Sequence, residues 1–117
     1  MEYKTTAKLV IQACDKDLPG VFGHGCVLLL QGIAREHSLN RAAKSMGMAY
    51  SKAWTILKNA QQHLGFELLH STTGGKHGGG ATLTPEAAAL LAAYREYCSE
   101  LNTFAMTLFA EKFEGIL

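Results

Sequence analysis

The apolar positions of this chain change period several times along its length. Over residues 4–14 they alternate, with Ala7, Leu9, Ile11 and Ala13 on one side and Lys4, Thr6, Lys8 and Gln12 mostly on the other. That is the period of a half-buried strand. Asp15-Lys16-Asp17 turns the chain, and residues 18–22 return as a short partner, giving an N-terminal β-hairpin. The pattern then becomes helical. Val27, Leu29, Leu30, Ile33 and Ala34 suit a buried helix over about residues 24–37, with Gly23 and Gly25 loosening its entry. Ser38 is placed to N-cap a very short helix over residues 39–46 that Gly47 ends. A third helix runs over about residues 50–64, where Ala53, Leu57, Ala60 and Leu64 repeat at four, three and four residues before Gly65.

Residues 68–72 and 81–83 are short strand candidates on either side of Thr73-Gly74-Gly75-Lys76-His77-Gly78-Gly79-Gly80. Thr84 then stands as N-cap, Pro85 at the first helical position and Glu86 in the first turn, where its charge complements the helix dipole. The helix that follows reaches about residue 112, or ~42 Å at 1.5 Å per residue. Along it Tyr94, Leu101 and Leu108 recur every seventh residue, with Cys98 and Ala105 four positions after the first two, a seam for another helix. The expected fold is mainly α with a small β component (α+β). It is a single winged helix-turn-helix domain over residues 1–117: an N-terminal β-hairpin (1–23), the helix-turn-helix and wing (24–84) and a long C-terminal dimerisation helix (85–117).

Composition narrows the class. At 117 residues, 48% hydrophobic and 18% charged, the chain can bury a core without disulfides. Cys14, Cys26 and Cys98 are odd in number and form no C-x-x-C pair, which argues against a disulfide framework or a Cys-rich zinc site. No stretch is apolar over the ~20 residues that a membrane span needs, and the start shows no export signal, so a cytoplasmic location is expected. Charge is uneven. Residues 35–77 hold six basic side chains against two acidic, a balance of +4, whereas the remainder holds five against eight, a balance of −3. A basic middle with acidic flanks fits a nucleic-acid face, although a merely solvated surface would look similar.

A short helix, a tight glycine turn and a second helix with an apolar inner stripe make a helix-turn-helix, and the strand-loop-strand after it makes the unit winged. The major groove is ~12 Å wide and admits one helix, which the preceding helix must brace. Ala42, Ala43 and Gly47 supply small residues at the crossing. With Ala53, Leu57, Ala60 and Leu64 inward, Ser51, Lys52, Thr55, Lys58 and Asn59 lie outward and Tyr50 leads. Their hydroxyl, amide and ammonium groups suit base edges and phosphates.

Residues 23–97 resemble the N-terminal DNA-binding domain of ModE-type molybdate-responsive regulators, relatives of the LysR-type winged helices. The motifs that carry the likeness are SLNRAAKSMGMAYSKAW from Ser38 to Trp54, LGFELLHSTTGGKHGGGATLT from Leu64 to Thr84, and the helix ending near Tyr97. The resemblance implies that the third helix reads the major groove, that the glycine loop is the wing, and that the long helix pairs two subunits. Arg41, Tyr50, Ser51, Lys52, Thr55, Lys58, Lys76 and His77 are then the expected DNA contacts. Tyr94, Tyr97, Cys98, Leu101, Phe104, Ala105 and Leu108 are the expected dimer contacts. Family members carry oxyanion-binding domains after the dimer helix and this sequence shows none, so a small-molecule effector is not expected within it. The wing is also sparsely basic.

Other readings are weaker. Trp54 is assigned to the core or its margin, where a tryptophan in an amphipathic helix usually packs, rather than to base stacking. Lys76 is followed by His77 rather than Ser or Thr, so the glycine loop is no phosphate-binding P-loop. His24, His37, His63, His70 and His77 share no i, i+4 spacing, and neither His24 with Cys26 nor His70 with His77 makes more than a pair of ligands, so no metal or cofactor is expected. Cys98 reads as a small hydrophobe on the seam. Nothing supports catalysis. The expected function is a sequence-specific transcriptional regulator that binds an inverted repeat of duplex DNA as a homodimer, with a link to molybdenum metabolism implied by the resemblance. The rival is a protein-interaction module of the same fold that docks another regulator.

Overall fold

A computed structural model describes residues 2–7, 9–14, 22–72 and 80–117. Its elements are α1 (His24–Glu36), α2 (Leu39–Ser45), α3 (Tyr50–Leu64), β1 (Leu69–Thr72), β2 (Gly80–Leu83) and α4 (Pro85–Lys112). The architecture is mainly helical with one two-stranded antiparallel sheet, the winged helix-turn-helix order. Among the described residues no helix is long and apolar enough to cross a membrane.

α1 is the central helix, burying Cys26, Val27, Leu29, Leu30 and Ile33. It crosses α2 at Gly32, where a Cβ would stand 2.9 Å from the Cβ of Ala42. Only a hydrogen fits there, so this glycine sets how closely α1 and α2 approach. α1 stops one residue short of the sequence expectation because His37 turns left-handed, at φ 55°, with its N–H donating to the Ile33 carbonyl. The carbonyl of His37 then accepts from Ala81 N–H at 3.0 Å, which ties β2 to the end of α1.

α2 begins as expected, with Ser38 Oγ accepting from Arg41 N–H at 3.1 Å. Its end is a Schellman motif: Gly47 N–H donates to the Lys44 carbonyl and Met48 N–H to the Ala43 carbonyl, with Gly47 at φ 67°. Nothing lies within 4 Å of a Cβ placed at Gly47. This glycine therefore serves the left-handed backbone, not the close helix approach assigned to it from sequence. Ala53, Leu57 and Ala60 of α3 then pack inward. Gln61 Oε1 accepts from Leu68 N–H at 2.8 Å, holding the chain that leads into the wing.

In the sheet Leu69 pairs with Leu83 and Ser71 with Ala81. Thr84 joins sheet to helix. Its hydroxyl oxygen accepts from Ala87 N–H at 3.0 Å and donates to the Glu67 carbonyl at 2.8 Å, while its own N–H donates to Leu68. The cap foreseen for α4 is thus also a clamp on the segment before β1, and it is 2% exposed.

The N-terminal hairpin takes a reduced form among the described residues. Ile11 and Phe22 exchange both backbone hydrogen bonds at 2.9 Å, as one antiparallel bridge. The turn and most of the returning strand, residues 15–21, lie outside the described residues. Three backbone groups of the described arm before this bridge pair with α4. Leu9 O accepts the Tyr94 hydroxyl at 2.6 Å, Ala7 N–H donates to Asn102 Oδ1, and Thr5 N–H donates to Met106 Sδ. Tyr3 stands 6.4 Å from Phe109, ring centre to ring centre. A cavity of about 420 Å³ remains between this arm, α1 and α4.

Candidate nucleic-acid interface

α2, the turn at residues 46–49 and α3 form the face to which sequence assigned DNA. Ala49 has no hydroxyl to cap α3, so the first amides of that helix are left to solvent or to a bound anion. Arg41, Tyr50, Ser51, Lys52, Thr55 and Lys58 are all exposed. Thr55 donates its hydroxyl to the Ser51 carbonyl at 2.9 Å, which leaves its oxygen free to accept from a base or a water. No carboxylate occurs between Glu36 and Glu67, whereas Arg41, Lys44, Lys52 and Lys58 do. The potential over this face is positive. Lys76 and His77 fall outside the described residues.

On this face one placement differs from the sequence expectation. Trp54 is 42% exposed, on the outer side of α3. The inward line is filled by alanines and Leu57, and the small crossing it permits has no room for an indole; position in the helix overrides residue type here. Tyr50, 54% exposed, is one turn before it.

α4 shows two apolar faces. The first belongs to the protomer itself. Tyr94, expected on the dimer seam, is 7% exposed, meets Phe22 edge-on at 5.3 Å between ring centroids and donates to Leu9. Its phenol and its ring are spent inside the chain, so it is not an exposed seam residue. Burial raises the Tyr94 pKa, and Cys98 beside it adds in the same direction. Cys98, Leu101 and Ala105 are half-buried. The second face is open: Tyr97, Phe104 and Leu108 are exposed, with Leu101 between them. The spacing of these four is four, three and four residues, the repeat of a helix-packing stripe.

Chemistry elsewhere is quiet. Among the described residues no group of three or more His, Cys, Asp or Glu is gathered to hold a metal ion. Burial pushes the Cys26 thiol from its ordinary 9.0 up to about 12, so it is an inert core residue. His63, also buried, lies 3.1 Å from the Asn59 carbonyl through Nδ1.

Comparison with known proteins bears on this geometry. Residues 27–88 match the family described as bacterial regulatory helix-turn-helix protein, lysR family. The molybdenum transport protein ModE of Herbaspirillum seropedicae is 47% identical over 68 residues, 58% of this chain and 25% of that protein. The protein of the same name from Azotobacter vinelandii is 32% identical over 107 residues, 88% of this chain and 40% of its own length. The DNA-binding transcriptional dual regulator ModE of Escherichia coli K12 is 37% identical over 68 residues, 58% of this chain and 26% of that protein. The chain thus spans between a quarter and two-fifths of these relatives.

Proposed function

The chain belongs to the bacterial regulatory helix-turn-helix proteins of the lysR family, a family of DNA-binding transcriptional regulators, and on that premise we propose that it binds an inverted repeat of duplex DNA as a homodimer. The observation that carries this reading is the acid-free, exposed face of α2 and α3. α3 enters the major groove, with Tyr50, Ser51, Lys52 and Thr55 toward base edges and Lys58 and Arg41 toward phosphates. Lys76 and His77 of the wing add a flanking backbone contact.

The open stripe of α4 supports the dimer. Tyr97, Leu101, Phe104 and Leu108 meet their copies across a two-fold axis, with Cys98 and Ala105 at the margin. An exposed aromatic and aliphatic stripe on a projecting helix is costly in water and self-complementary by spacing. Two-fold symmetry puts the recognition helices ~34 Å apart, or a multiple of it, one DNA turn per step. The names of the relatives extend the proposal to genes of molybdenum handling. Nothing in the geometry favours a partner-docking module over DNA, because such a module has no need of a carboxylate-free basic ridge.

Anisotropy titration of the full chain against duplexes that it selects from a random pool tests the reading. Affinity falls with salt at a slope of about −0.9 per neutralised phosphate. Lys52→Ala lowers that slope by about one contact and Thr55→Ala weakens binding without changing it, both with unaltered helicity and dimerisation. Failure to bind any duplex at low salt refutes the proposal.

A further inference from the structure

The recognition face carries an apolar component that phosphate and hydrogen-bond readout leave unused. Tyr50, Trp54 and Lys58 succeed one another at four-residue intervals, so they line one edge of the outer side of α3 on consecutive turns. Two of the three are large rings, 54% and 42% exposed, with the hydroxyls of Ser51 and Thr55 beside them. Neighbouring rings of this size are an interaction patch, unlike a single surface aromatic. The surroundings say what meets them. Lys58 follows the rings on the same edge and no acid lies on either helix of the unit, which suits a polyanion and repels an acidic protein surface. In the major groove one base group is apolar, the C5-methyl of thymine. Insertion between base steps, the other use of an apolar side chain on DNA, is made by wedges entering the minor groove. Trp54 instead stands on the flank of a helix, in its second turn.

We infer that Trp54, supported by Tyr50, is a specificity-determining residue that reads thymine through its methyl group. This rests on the DNA-binding reading above. In each half-site, one thymine methyl lies against the indole face, and cytosine at that place is rejected because it brings an amino group to an apolar contact. The indole N–H is a donor only and plays no part in telling thymine from uracil.

The test uses the wild-type chain and a duplex selected by it from a random pool. Each thymine is replaced in turn by deoxyuridine, which removes a methyl group and nothing else. At one thymine per half-site the change weakens wild-type binding about fourfold, the worth of one buried methyl. Trp54→Ala binds the thymine and uracil duplexes equally, with an unfolding midpoint matching the wild type, since the ring is outside the core. Trp54→Phe keeps part of the discrimination. As the chain has a single tryptophan, its fluorescence also reports the contact directly, shifting on saturation with the duplex. The inference is overturned if no thymine in the selected site responds to uracil, if Trp54→Ala still discriminates, or if the emission is unmoved by bound DNA. A wild-type chain that binds no duplex overturns the DNA-binding reading itself, and this with it.

Discussion

Residues 85–94 and 95–112 of α4 are continuous helix and both rich in apolar side chains, yet their surroundings differ. The first part is anchored by the Thr84 clamp and buries Ala87, Leu91 and Tyr94 against the core. The second buries nothing fully, and it leaves Tyr97, Phe104 and Leu108 in water. A single copy completes its own core by Tyr94. Beyond that point Cys98, Met106 and Phe109 still meet the core or the N-terminal arm, but Tyr97, Phe104 and Leu108 are left exposed, and on the dimer proposal these are what a second copy covers.

Perturbing each part separately sharpens the contrast. The largest effect is expected at the base of the self-contained part. Gly32→Val drives a branched side chain into Ala42 across the α1–α2 crossing, where even a Cβ is 2.9 Å from its neighbour. About 3 kcal/mol of stability is lost, read as a lowered urea midpoint, and DNA binding and dimerisation fall together. Phe104→Glu acts on the other part. It places a charge at the centre of the open stripe, weakening dimerisation by about 2 kcal/mol in sedimentation equilibrium, with the unfolding of residues 24–94 unchanged. A result in which the Phe104 variant unfolds the domain would show the two parts to be one cooperative unit.

Gly47→Ala comes next. Space is open around that position, so its cost is the left-handed backbone alone, about 1–2 kcal/mol, and it appears in thermal unfolding without loss of the dimer. The smallest effect at neutral pH comes from Cys26. Its thiol is neutral when folded and its pKa is raised to about 12. The stability this contributes is complete below the unfolded value and is lost as pH rises from about 9 toward 12, because the unfolded chain ionises first. Cys26→Ala removes that alkaline limb from the stability curve. At pH 8 the exposed Cys14 alkylates readily while Cys26 does not.

Much of this architecture was legible because local rules and tertiary packing agree. Residues 50–64 show their periodicity openly and residues 85–112 their N-cap, and Ser38, Gly47, Gly65 and Thr84 stand where helix ends need them. Three things were not. Gly32 looks like an ordinary helical glycine, and its role depends on the approach of a second helix that no one-dimensional pattern states. The alternation of residues 4–14 is real, but which groups their amides meet, a strand or the side chains of α4, is a tertiary choice. A seven-residue repeat finds the period of a stripe without its phase. Tyr94, Leu101 and Leu108 share that period, yet the fold claims Tyr94, and the open face is rotated toward Tyr97 and Phe104. Trp54 is a different case: its place between Tyr50 and Lys58 already put it outside, and its residue type drew it in.

The join at Thr84 has a mechanical consequence. β2 ends at Leu83 and α4 starts at Pro85, with one buried threonine between them that is also bonded back to residue 67. The β1–β2 ladder and the rod are thus joined through one fixed residue, with no slack between Leu83 and Pro85.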